Sequence, residues 1–145
     1  MEIPTLDQMV ERLNRLTPEA QRQWGKMNLP QMLLHCRLPL ESALNQKTFK
    51  RVDNVLTRLL IRPMVLKMPW PRGKAQTHPE FRTVELDMPV RSVGEEKAAL
   101  AAALKAYMAG GFEPPPHPIF GPMTMEQWNL LQRRHMDHHF RQFGG

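Results

Sequence analysis

Trp128, Leu131, His135, His139 and Gln142 follow one another at intervals of three and four residues. At about 100° per residue they share an arc of a helix about 80° wide, so two imidazoles continue the apolar stripe by which that helix must meet a core. Unpartnered polar groups are costly to bury, and any fold of this chain has to bring partners to these two rings. Side chains four apart lie one above the other on one face, so His135 and His139 can aim at a single point, as a chelating pair does. His138 falls at the edge of the arc, about 60° from His135 and about 100° from His139, and Asp137 faces the opposite side. A core role in which hydrogen bonds satisfy the two rings competes with coordination.

Zinc takes three protein ligands plus water in catalytic sites and four ligands in structural ones, so a pair needs at least one more donor. His35 is the best placed, inside the apolar helical segment Leu29-Pro30-Gln31-Met32-Leu33-Leu34-His35-Cys36. His78 and His117 each precede proline in stretches that read as loops. Cys36 points about 100° away from its neighbour His35 and reads as a small buried apolar residue rather than a nucleophile or extra ligand.

Helical periodicity runs through most of the chain. Leu6, Met9, Val10, Leu13 and Leu16 mark an amphipathic helix. Thr17-Pro18-Glu19 has the form of a second, short helix start, with threonine as N-cap and proline at the first helical position. Asn28 can cap a longer helix from about Leu29 to Gln46, in which Pro39 cannot bond the carbonyl of His35 and predicts a kink or break. Val52 to Lys67 is helical with an interruption near Pro63. Met68 to Pro89 loses the period and contains Pro69, Pro71, Gly73, Pro79 and Pro89, a long proline-rich loop. Helix returns over Glu95 to Met108, closed by Gly110-Gly111, and a polyproline-like strap follows at Pro114-Pro115-Pro116-His117-Pro118. Thr124 with Gln127 is a capping-box start for the last helix, which ends at Gly144. No period-two strand pattern and no internal repeat is found.

A chain of 145 residues can bury a core as one domain spanning 1–145. Its one cysteine excludes an intrachain disulfide and fits a reducing compartment. There is no long apolar run for a membrane span, and Met1-Glu2-Ile3-Pro4 lacks the start of a signal peptide, so the expected location is cytoplasmic. The net charge of +6 could attract anions. The basic residues are dispersed, without aromatic interleaving, and no nucleic-acid partner is expected. Trp24, Trp70, Trp128 and Tyr107 read as packing residues rather than a binding cage.

The string His135-x-x-His138-His139-x-x-Gln142, with an isolated histidine in a helix about a hundred residues upstream, resembles the DinB-like (YfiT-like) metal-binding superfamily. Trp24-Gly25-Lys26-Met27 followed by Gln31-Met32-Leu33-Leu34-His35-Cys36 is similar to one uncharacterised branch of it, as is His117-Pro118-Ile119-Phe120-Gly121 before Thr124 and Glu126-Gln127-Trp128. The segment from Phe49 to Arg91 carries no match. The resemblance implies an all-α, four-helix bundle, frequently dimeric, holding a divalent metal on His35, His135 and His139. Some members of the superfamily are thiol-dependent enzymes, such as bacillithiol transferases and a mycothiol-dependent maleylpyruvate isomerase; others have no known activity.

A three-histidine zinc or nickel site leaves a position where a thiol or water would be acidified, and thiolate is the reactive nucleophile. The leading expectation is a metal-dependent transferase that joins a low-molecular-weight thiol to a small electrophilic substrate. A metallohydrolase is the first rival, with His138 and Glu126 as candidate acid–base groups. A non-catalytic, metal-stabilised bundle is the second. Apolar residues on several sides of the second long helix, Met32, Leu33, Leu34, Leu38, Leu40 and Leu44, predict a homodimer that covers them.

Overall fold

Helix starts in this chain are built from local reciprocal caps. The structure, a computed structural model, describes residues 2–71 and 89–145. Helix α1 (Leu6–Arg15) begins at Thr5, whose hydroxyl accepts from the Gln8 N–H while the Gln8 side chain accepts from the Thr5 N–H. Two backbone donors that a helix start leaves unpaired are thereby satisfied. The same device opens α2 (Leu29–Ala43) with Asn28 and Gln31, and the last helix (Met125–Gln142) with Thr124 and Gln127, both at the predicted caps.

Between them lie α3 (Arg62–Lys67) and α4 (Val93–Ala109), which makes the last helix α5. Helix α4 is capped by the Ser92 hydroxyl. The interruption expected near Pro63 is a wide helical turn, Thr57–Ile61, leading into α3. Pro63 has no N–H to return to Leu59, and the preceding Arg62 N–H reaches back five residues to the Thr57 carbonyl, the spacing of a π-bulge. The described residues form no strand, and only His117 and Gly121 make an isolated bridge among them. The described residues are mostly helical, consistent with the expected all-α class.

Helix α2 packs on α4 and α5, α1 packs on the same two, and α3 lies on α5. Met9, Leu13, Met32, Leu33, Leu40, Leu100, Leu104, Trp128, Met136 and Phe140 meet in the main core. Each buried side chain of this size contributes roughly 1.5–3 kcal/mol. A smaller cluster of Leu66, Phe120 and Leu131, with Trp70 against it, seats α3 and the 117–121 turn on α5. None of the helices found among the described residues is long and apolar enough to cross a membrane.

Three expectations are revised. The short helix predicted after Thr17 does not form: Pro18 and Glu19 make one turn, and 20–28 is irregular. Long-range bonds claim this backbone instead, with Gln23 N–H donating to the Gln142 carbonyl at 2.6 Å and the Gln142 amide donating to the Trp24 carbonyl at 2.8 Å. Helix α2 runs through Pro39 without a break and ends at Ala43 rather than Gln46, where Asn45 turns to a positive φ of 56°. Finally, of the six apolar residues expected to seek a partner, Met32, Leu33, Leu34, Leu38 and Leu40 are buried within the chain itself, and only Leu44, at the end of α2, is left half-buried. Exposed apolar side chains occur elsewhere, at Val55, Leu56, Leu59, Leu60 and Met64. The proline-rich loop expected from Met68 to Pro89, with His78, lies largely outside the described residues.

Candidate metal centre

Helix α2 carries His35 and α5 carries His135 and His139, and the packing of these two helices brings the three rings together. Their centroids form a nearly equilateral triangle, with His35 4.7 Å from His135 and 4.6 Å from His139, and His135 4.7 Å from His139. One ring nitrogen from each lies within 4.8 Å of the others, a cluster that can hold a metal ion. The two helices thus join the i, i+4 pair to the one upstream histidine that the sequence put in an apolar helix.

His35 is buried at 4% exposure, while His135 and His139 keep part of their surface uncovered. Burial nevertheless holds the His135 imidazole well below the usual histidine range, aided by His139 and His35. His139 is lowered in the same way, by burial first and then by His35, against the opposing effect of its hydrogen bond to the Gln142 side-chain oxygen. Both are therefore neutral near pH 7, the state in which imidazole is a ligand.

The Nε2 atoms of His35 and His135 are 2.9 Å apart. Metal–imidazole bonds of about 2.0–2.1 Å would set two ligand nitrogens about 3 Å apart at a right angle and about 3.4 Å apart at a tetrahedral one, so the pair is close to bridging distance. Without a cation, one Nε2 must donate to the other. His135 Nδ1 is buried with no hydrogen-bond partner among the described residues, so neither direction of that bond satisfies the ring completely. A cation would use both Nε2 lone pairs at once and put the His135 proton on Nδ1, which stays without a partner among the described residues in that state as well. Gln132, one turn earlier on α5, is fully buried, and neither its oxygen nor its nitrogen has a partner among the described residues. Sequence reading passed over it, because a single glutamine in a helix carries no signal until its burial is known.

His138 stands outside the triangle, as its direction around the helix predicted. Its ring lies 5.8 Å from Trp24 and 5.5 Å from Trp70, and Trp70 is also 6.2 Å from His135. Trp128 and Tyr107 are core residues, whereas Trp24 and Trp70 flank the site. Arg134 lies over the Trp70 ring and donates to the Met68 carbonyl, fixing that indole beside the histidines.

His117 is buried but elsewhere. Its Nδ1 accepts from the Ile119 and Phe120 N–H groups, and it braces the turn that Gly121 closes at a φ of 71°. Cys36 is buried, with its thiol against Met32 and pushed up by burial, as expected of an unreactive packing residue. Glu126 is exposed in the first turn of α5. At about 1.5 Å per residue its backbone lies ~13 Å along the axis from His135, too far for an acid–base partner of this site in the same chain.

A cavity of about 130 Å³ lined by Ser42, Phe49, Arg51 and Pro116, among others, shares no residue with the histidine cluster.

A family model described as a protein of unknown function, DUF1569, matches residues 1–144. The chain belongs to the DUF1569 family. No curated protein and no solved structure matches it. Membership in DUF1569 assigns no chemistry, so the functional reading of this family member rests on the site itself.

Proposed function

We propose that this DUF1569 protein binds one divalent metal, zinc or nickel, through His35, His135 and His139, and uses it to join a low-molecular-weight thiol to a small electrophilic substrate. The thiol loses its proton as its sulfur bonds the electrophilic carbon, and any leaving group departs with the displaced electron pair. The observation that carries the reading is the convergence of three largely buried imidazoles, with one nitrogen from each within 4.8 Å of the others. Helices α1, α2, α4 and α5 are read here as the four-helix bundle of a DinB-like protein, which the motif resemblance suggests.

A metal held there would supply Lewis acidity to a thiol or water at its remaining position. The chain's own residues do the rest. His35, His135 and His139 present the imidazole donors, and Gln142 orients the last of them. Trp24, His138 and Trp70 wall one side of the centre. The buried thiol of Cys36 takes no part. Hydrolysis remains the rival reaction; among its candidate groups Glu126 is too distant, which leaves His138.

The test is elemental analysis of protein expressed without a polyhistidine tag, expected to find near one metal per chain. Absence of metal after reconstitution with zinc, nickel and manganese refutes the site. For the reaction, metal-loaded protein is expected to accelerate conjugation of a cellular thiol to an electrophile. Metal-dependent ester or amide hydrolysis with no thiol requirement would instead identify a hydrolase.

A further inference from the structure

Gln142 is buried at 4% exposure, yet it makes three hydrogen bonds that converge on the site. Its backbone carbonyl accepts from Gln23 N–H at 2.6 Å, its Nε2 donates to the Trp24 carbonyl at 2.8 Å, and its Oε1 lies 2.9 Å from His139 Nδ1. The direction of the last bond follows from the others. A carbonyl oxygen only accepts, so the Trp24 carbonyl requires the NH2 end of the Gln142 amide. The oxygen end is then turned to His139, and since it too can only accept, Nδ1 must carry the proton.

We infer that Gln142 is a positioning residue: it fixes His139 as the Nδ1–H tautomer with Nε2 as the ligand atom, and ties that ring to the Trp24-Gly25 segment.

Gly25 completes the arrangement. Its φ is +86°, and a Cβ built there would lie 2.0 Å from Gln142 Nε2, so a side chain at 25 and the Gln142 amide cannot occupy their places together. Outer hydrogen bonds of this kind orient metal-binding histidines and set the tautomer. Sequence reading placed Gln142 on the same helical arc as the ligands without giving it a role, because its partner is 118 residues away.

The inference deepens the metal-binding reading, but its decisive test needs no metal. Long-range proton–nitrogen spectra of metal-free protein with labelled histidine distinguish the two tautomers of a neutral ring. In the wild-type protein His139 is expected to carry its proton on Nδ1; a proton on Nε2 overturns the inference, whatever any variant does. Gln142→Leu is expected to lose the single tautomer, and Gln142→Glu, which keeps an acceptor for Nδ1, to retain it. An unchanged His139 pattern in folded Gln142→Leu also overturns it. On the zinc-binding arm, Gln142→Leu is expected to weaken affinity by about 10–100-fold, with Gln142→Glu closer to wild type. If the wild-type protein binds no zinc while the tautomer pattern is as stated, the positioning role stands and the metal reading fails.

Discussion

Replacing Gly25 by alanine tests the contact between the 17–28 segment and the histidine site. A non-glycine residue held in a left-handed conformation costs about 1–2 kcal/mol, and Gly25 has a φ of +86°. The added Cβ would also meet Gln142 Nε2 at 2.0 Å and force the amide out. That breaks the bonds to the Trp24 carbonyl and to His139, each worth roughly 1 kcal/mol net. Alanine restricts the unfolded chain and returns about 0.4–1 kcal/mol. The expected loss is therefore about 3 kcal/mol, measured by urea denaturation of metal-free protein. The same substitution in a Gln142→Ala background meets no amide, so only the backbone strain remains, and it is expected to cost about 1 kcal/mol. Equal losses in the two backgrounds would refute the reasoning, because they would mean that the Gln142 side chain does not fill the space that glycine leaves.

Four further outcomes follow from the site and surface. Alanine at His35, His135 or His139 is expected to lower zinc affinity at least tenfold in chelator competition, while His138→Ala keeps metal content. If His138→Ala abolishes binding and His139→Ala does not, the assigned ligand set is wrong. In metal-free protein the folded pKa values of His135 and His139 are depressed, so below about pH 6.5 the unfolded chain binds more protons than the folded one. Stability is then full above that pH and falls as pH drops through it; equal urea midpoints at pH 8 and pH 5 would contradict the assignment. Gln132→Leu removes a fully buried amide with no partner among the described residues and is expected to leave stability unchanged or raise it by about 1 kcal/mol; a loss above about 2 kcal/mol would show that the amide is satisfied in solution. A homodimer through Val55, Leu56, Leu59 and Leu60, exposed here, is expected in light scattering at high micromolar concentration and is expected to dissociate in Leu59→Glu; a monomeric wild-type protein rules it out.

The sequence by itself determined where most helices begin and which face of α5 carries chemistry. Thr124 with Gln127 and Asn28 with Gln31 close their caps within three residues, and Pro63 disturbs its helix through its own missing N–H, so these features need nothing from the rest of the chain. His135 and His139 share a face for the same local reason, the helical repeat. Only the tertiary structure decided that residues 20–28 are irregular. Thr17-Pro18 has the local form of a helix start, but bonds to Gln142 from the far end of the chain take the backbone and Gly25 takes a left-handed turn. Packing likewise turned α2's many-sided apolar surface inward, gathered Trp24 and Trp70 around His138, and left Gln132 without a partner among the described residues. It also decided that His35 on α2 meets the α5 pair: a hydrogen bond or ring contact between residues a hundred or more apart costs chain entropy to form, and only burial of the surrounding core offsets that cost.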